Sequence, residues 1–474
     1  MSVGRIPFSE LEKLPAIPEK YLECTEGLSK SGKKIIVLDD DPTGTQTVCA
    51  TPVYTDWEAD TIERAFRDAE HPMFYVLTNS RGLTAAETEP VHRTIAENIV
   101  AASKKTGLDY VLISRSDSTL RGHYPLETRV LRETIEALSD KRFDAEAICP
   151  FFPEGGRYTV GNVHYVREGD ELVPAGETEF ARDKTFGYKS SDMREWCEEK
   201  SGGAVKAGDV LCISIEEERA CDTAGIAEKL MQVRDFGKVV VNCASYADLR
   251  VFAEALNTAA AAGRGFMFRS AAAVPKVLGG IPDRPLLSHD ELVDRRGGGL
   301  IIAGSHTART TSQLENLKNS GLPVTFVEFD QHLAAVPGGL EGETARVASL
   351  AGELLRRGES VAVCTRRERY DPPGDKEEQL RVSVAISSAL TAVVSTLTEP
   401  PAFIIAKGGI TSSDVATTAL GIRRAMVIGQ ISAGIPVWRA PEDSRFPGSA
   451  YVIFPGNVGT EDTLTECVRK LMAE

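Results

Sequence analysis

The sequence predicts an α/β protein of two domains, each built on a mostly parallel sheet flanked by helices. Three observations carry that expectation. The chain has 474 residues, more than one ordinary core accommodates. Short apolar runs alternate with helical stretches through both halves. A Pro- and Gly-rich stretch, Gly279–Gly299 with its IPDRPLL and DRRGGG segments, separates the two series.

Residues 1–33, rich in Glu and Lys, read as an extension with a short helix. A first domain, 34–285, opens on KIIVL (34–38). Strand-like runs follow at FYVLT (74–78), YVLIS (110–114), AEAIC (145–149), VLCIS (210–214) and VVVNC (239–243). Helical stretches such as Thr84–Lys105 and Pro125–Leu138 lie between them. The stretch RYTVGNVHYVREGDELVPAGETEFARD breaks the rhythm: it alternates and carries Gly-Asp and Pro-Ala-Gly turn signals. It predicts a hairpin inserted over about 151–208, and excursions of this length are often lids or binding loops. The second domain, 295–474, runs through LIIAG (300–304), PVTFVEF (323–329), VAVCT (361–365), AFIIA (402–406), AMVIG (425–429) and AYVIF (450–454).

Bulk properties exclude several classes. Hydrophobic content of 42% with 26% charged residues suits a soluble globular protein. No apolar run is long enough to span a bilayer, and the N-terminus lacks a signal-peptide core. The nine cysteines are scattered without a CxxC pair or zinc spacing, which fits free thiols in a reducing cytoplasm. A net charge of −15 argues against nucleic acid as a partner. An anionic ligand must then be held by local arginines and backbone N–H groups.

Six segments place chemistry at strand ends, where open α/β sheets bind ligands. LDDDPTGTQTV (38–48) sets three acids after the first strand, with Asp41 or Asp40 suited to accept a hydroxyl proton. Thr43 and Gly44 lie in its turn; a solvated helix-capping turn is the alternative. NSRG (79–82) adds Arg81. SRSDSTLRGHYP (114–125) offers Arg115 and Arg121 to clamp a carboxylate, with Ser116, Asp117 and Ser118 for hydroxyls; one of these residues is expected to cap the next helix. In the second half, IIAGSHTARTTSQL, IIAKGGITSSDVATTALGI and FPGNVGTEDTL each follow a strand with a Gly- and hydroxyl-rich loop and then a helix. That suits phosphate binding, with glycine turns capped by Ser or Thr as the alternative. GLSKSGKK (27–34) is not a P-loop: Lys34 replaces the Mg²⁺-binding hydroxyl, and the segment precedes a strand. No G-x-G-x-x-G follows a strand. His123 and His306 read as structural.

Together these residues resemble the four-carbon acid-sugar kinase family, formerly catalogued as a domain of unknown function. The family's DDxTG loop matches Asp40-Asp41-Pro42-Thr43-Gly44, and its DSTLRG matches Asp117 to Gly122. GR-x-T is partly present at Gly156-Arg157, and FA-x-D at Phe180 to Asp183. GS-x-[ST] appears at Gly304 to Thr307, GG-x-TS at Gly408 to Ser412, then ALGI and GIPVW, and Gly-Asn-x-Gly at Gly456 to Gly459. Ile410 stands where the family often has an acid, Ser413 where it often has Gly, and the first loop departs from the shorter DDLTGA form; this marks a divergent subgroup.

The resemblance implies two domains with an active-site cleft between them. The N-terminal one binds a sugar acid such as threonate, erythronate or oxo-tetronate. The C-terminal one binds ATP, with Mg²⁺ arriving on the nucleotide and no dedicated metal site. It implies catalysis by Asp41 or Asp40. Substrate contacts would come from Thr43, Gly44, Arg81, Arg115, Ser116, Asp117, Ser118, Arg121 and Arg157. Nucleotide contacts would come from Ser305, Thr307, Gly408, Gly409, Thr411, Ser412, Gly456 and Asn457. The expected partners are a small sugar acid and ATP, with no nucleic acid and no membrane, and a homodimer left open. A non-catalytic nucleotide- or phosphosugar-binding sensor or effector-like protein is the alternative.

Overall fold

The computed structural model describes residues 4–23, 28, 31–368, 370 and 376–472. Cys24 and the Gly27, Ser29 and Lys30 of the near P-loop lie outside the described residues. The chain divides into two compact units, Met1–Asp283 and Arg284–Glu474. Both are α/β, so the expected fold class is present. Among the described residues no helix is long and apolar enough to cross a membrane.

The first unit starts with β1 (Ile6–Pro7) and two short 3-10 turns, Phe8–Lys13 and Glu19–Tyr21. Its main sheet comprises β2 (Lys34–Asp39), β3 (Thr51–Tyr54), β4 (Met73–Leu77), β5 (Tyr110–Arg115), β6 (Ala145–Cys149), β10 (Leu211–Ile213), β11 (Gly237–Val241) and β12 (Phe266–Ser270). They pair in parallel in the order β10-β11-β6-β12-β5-β2-β4-β3. Every residue of β2 is buried, because helices cover both faces of such a sheet and its strands become continuous apolar runs. Register levels the strand ends: Asp39 stands opposite Leu77 and Arg115, and Arg115 opposite Ser270. The loops after β2, β4, β5 and β12 therefore emerge side by side.

The helix expected from Thr84 runs Ala85–Thr106, with Thr84 and Glu87 closing a capping box and Gly107 ending it in left-handed backbone. The next runs Leu126–Leu138. The expected inserted hairpin is a three-stranded antiparallel meander: β7 (Arg157–Val160), β8 (Val163–Glu168) and β9 (Glu171–Pro174), with β1 on its edge. The additional turn is Gly161-Asn162, where φ is 59° and 68°; two successive positive φ values make the tight reversal that matches strand twist.

The second unit contains β13 (Leu300–Ala303), β14 (Val324–Phe329), β15 (Ser360–Thr365), β16 (Phe403–Lys407), β17 (Arg424–Ser432), β18 (Ile435–Arg439) and β19 (Ala450–Phe454). Their order is β17-β18-β19-β16-β13-β15-β14, antiparallel across β17-β18-β19 and parallel beyond. Ala303 pairs with Lys407, and Lys407 with Phe454, so the three Gly loops also leave the sheet level with one another.

Candidate functional site

In the first unit, the leveled strand ends collect an ion-pair network. Asp39 is 1% exposed, and its Oδ1 accepts from Arg115 Nη1 at 3.0 Å. Burial pushes Asp39 up to about 7, against the pull of Arg115. Asp40 Oδ2 accepts from Ser116 Oγ at 2.6 Å. Its Oδ1 accepts no hydrogen bond, although Arg115 Nη1 stands 3.5 Å away. Burial raises Asp40 above its ordinary value, with Arg81 and Arg115 opposing.

Asp41 is more fully committed. It caps the 3-10 turn Pro42–Thr45, which holds Thr43 and Gly44, by accepting from Thr43 N at 2.8 Å, and it pairs with Arg81. Burial works to raise it, but Arg81 and the Thr43 bonds hold it below its ordinary value. Arg81 also reaches Asp117 Oδ1 at 3.2 Å, and Arg121 Nε reaches Asp117 Oδ2 at 2.7 Å. Burial is again outweighed, and these two arginines hold Asp117 far below the carboxylate range.

Of the arginines expected to clamp a carboxylate, the structure ties Arg115 inward and pairs Arg81 and Arg121 with acids. Arg157, at the start of β7, differs. It is 7% exposed, and no carboxylate lies within ion-pair distance of it among the described residues. Its Nε has no hydrogen-bond partner, and burial lowers it to about 10. Arg157 and Arg121 stand over the same ring, Phe180, at 5.5 and 5.1 Å from its centroid, which fixes both side chains. Ser118 is buried, and its carbonyl accepts from His164 Nε2 at 2.8 Å. His123 Nε2 meets the Leu83 carbonyl at 2.9 Å.

Sequence reasoning missed Arg269 and Glu127. Arg269 lies on β12 and donates to Ser116 Oγ at 2.7 Å and Ser114 Oγ at 3.0 Å, while pairing with Glu127. Ser80 Oγ donates to Glu127 at 2.5 Å. The available signal was FMFRS, a short apolar and aromatic run followed at once by a charged residue, as in YVLISR of β5. Gly122 packs against this junction: at φ 120°, a Cβ there would lie 2.7 Å from Ser116 Oγ and 2.8 Å from Arg269 Nη2. A cavity of about 20 Å³ lies among Ser116, Asp117, Arg121 and Arg269, room for about one water.

In the second unit the three Gly loops converge on Ser305. A Cβ on Gly408, at φ 109°, would lie 3.2 Å from Ser305 Cβ, and one on Gly456 would lie 3.5 Å from Ser305 Oγ. Thr307 caps the helix Ala308–Asn319, and its Oγ1 donates to the Gly456 carbonyl at 3.2 Å. Gly409 and Thr411 open the helix Gly409–Asp414. Ser412 turns inward, donating to the Ala406 carbonyl at 2.8 Å. Asn457 is half-buried. Basic side chains hold the loop carbonyls: Lys407 holds Pro455 at 2.8 Å, Arg309 holds Gly459 at 2.9 Å, and Arg367 holds Ser305. Peptide N–H and C=O point opposite ways, so pinned carbonyls favour N–H groups facing an anion. A nucleotide's phosphates fit this cradle. His306 meets the Arg366 carbonyl at 3.1 Å. Among the described residues no group of three His, Cys, Asp or Glu side chains is placed to hold a metal.

Residues 35–278 match the family described as a sugar-binding N-terminal domain, and residues 300–464 that described as a nucleotide-binding C-terminal domain. The first match alone spans over half of the chain, which thus belongs to the family of proteins that join these two domains. Among solved structures, a Salmonella typhimurium LT2 protein named provisionally as a tRNA synthase is 16% identical, with a TM-score of 0.66, covering 92% of this chain and 99% of that one. A Haemophilus influenzae DUF1537 protein is also 16% identical, with a TM-score of 0.58, over 92% of this chain and 100% of that one. These likenesses concern the fold. A Bordetella bronchiseptica DUF1537 protein, described as a domain-swapped dimer with bound citrate, aligns at 21% identity over 93% of this chain and 99% of that one, with a TM-score of 0.40; so loose a likeness says nothing of this chain's assembly. No curated protein matches the sequence significantly.

Proposed function

We propose that the protein is an ATP-dependent kinase that phosphorylates a hydroxyl of a small, four-carbon sugar acid. The observation that carries this reading is Arg157, a buried guanidinium without a counter-ion beside a buried carboxylate network in the sugar-binding unit. An unpaired buried charge is expensive unless a ligand completes it, and a sugar acid brings a carboxylate to Arg157 and hydroxyls to the neighbouring acids. Burial raises Asp39 to about 7, which lessens the negative charge beside Arg157 and suits an anionic substrate in a chain of net charge −15.

MgATP, when bound, supplies the phosphoryl group and neutralises charge as it moves. The chain's residues do the rest. Asp40, whose Oδ1 accepts no hydrogen bond, accepts the hydroxyl proton. Arg157 and Arg121 orient the acid. Thr43, Gly44, Arg81, Ser116 and Ser118 bound the pocket. Backbone N–H groups of the Ser305, Gly408 and Gly456 loops hold the phosphates. The scattered free thiols favour a cytoplasmic setting.

The test is a panel of C4–C6 sugar acids with MgATP, scored by ADP release. Turnover with an acid and none with neutral sugars of equal length supports the kinase. Binding of both ligands without ADP release would replace it with the sensor reading.

A further inference from the structure

We propose that Lys407 is a positioning residue that takes up a proton as a nucleotide polyphosphate settles on the loops around Ser305. This rests on the reading of those loops as the phosphate site.

Lys407 ends β16 immediately before Gly408 and is 0% exposed. No carboxylate lies within ion-pair distance of it among the described residues. Its Nζ donates to the Pro455 carbonyl at 2.8 Å and stands 4.1 Å from the Phe454 ring centroid. The groups that face it supply no negative charge. Cys467, on the helix Thr463–Met472, is pushed up to about 12 by burial and stays a neutral thiol. Arg309, on the helix Ala308–Asn319, is a second cation, and it donates to the Gly459 carbonyl. A buried ammonium without an anion is costly in a low-dielectric site, and burial lowers Lys407 to about 7.

A neutral amine keeps an N–H for the Pro455 carbonyl, so the loop stays anchored in either state. A polyphosphate above the loops supplies the missing counter-charge and favours the ammonium. The amine lone pair then takes a proton from solvent; no bond to phosphorus forms or breaks. Lys407 holds the Pro455 carbonyl in place, and its ammonium form is favoured when a ligand is there to meet it.

Calorimetry of ADP binding to the full-length protein at pH 8, in buffers of low and high ionisation enthalpy, tests this. At that pH the nucleotide phosphates are already ionised, so any uptake belongs to the protein. Close to one proton taken up per ADP is expected. Lys407→Arg, permanently charged, should bind ADP with that uptake abolished. Lys407→Met should lose it too and bind about tenfold or more weaker. ADP binding without uptake, or uptake that survives in Lys407→Arg, would overturn the inference. If Lys407→Met does not fold, the wild type and Lys407→Arg still decide. If the wild type binds no nucleotide, the phosphate-site reading itself fails, and the inference with it.

Discussion

At the scale of single residues, the adjacent acids of DDD separate by their partners. Asp41 is spent on Thr43 N and Arg81, while Asp40 keeps one oxygen without a hydrogen bond. Asp40→Asn should lower kcat by about 10²-fold or more and leave ADP affinity near normal in calorimetry; the same drop confined to Asp41→Asn would move the base there. A general base must be ionised, so kcat/KM should fall as pH drops through the Asp40 pKa. Burial raises that pKa, so the acid limb should lie above the ordinary aspartate value of about 3.9. Ser116 Oγ donates to the ionised form, so Ser116→Ala should move the limb higher still, which a pH profile reads directly. Arg157→Met should weaken acid binding by about 1.5–3 kcal/mol, with a much smaller loss for the corresponding amide. Equal losses would mean that Arg157 does not meet the carboxylate.

At the scale of elements, strand register does the assembling. Asp39, Arg115 and Ser270 end neighbouring parallel strands level with one another, so loops distant in sequence share one edge of the sheet. The close approach at Gly122 follows from this crowding. Gly122→Ala would place a methyl against Ser116, Arg269 and Asp40 in left-handed backbone, at about 1–3 kcal/mol for the strain alone. Thermal melting should show that loss together with reduced turnover, whereas an unchanged Tm would mean the loop relaxes freely. The motifs were legible because each sits directly after an apolar run. Arg269 was not, because a short strand beyond an Ala-rich helix carries no motif of its own; only its pairing with β5 brings it to Ser116.

At the scale of the whole molecule, each unit draws its apolar core from its own residues. One core runs between Ile36 and Met267, another between Leu287 and Leu471. A fragment spanning Arg284–Glu474 should therefore fold and bind ADP, and bind no sugar acid. Calorimetry with both ligands checks this: acid binding by that fragment would undo the proposed division of labour, and loss of folding would show that its core needs the first unit.

The sequence by itself determined the α/β class, the two-part organisation and most of the loops that gather at the strand ends. These follow from local signals: apolar runs buried on two faces, Gly and Pro punctuation, and loops fixed by the strands they follow. Only the tertiary structure decided which charges are spent. Nothing local distinguishes Arg115, locked to Asp39, from Arg157, buried without a counter-ion, or marks Lys407 as a buried amine with no anion beside it. A side chain's charge is written in the sequence. Its counter-charge is set by which distant residues the sheet register brings within about 4 Å, where Coulomb energies in a poorly solvated site reach several kcal/mol.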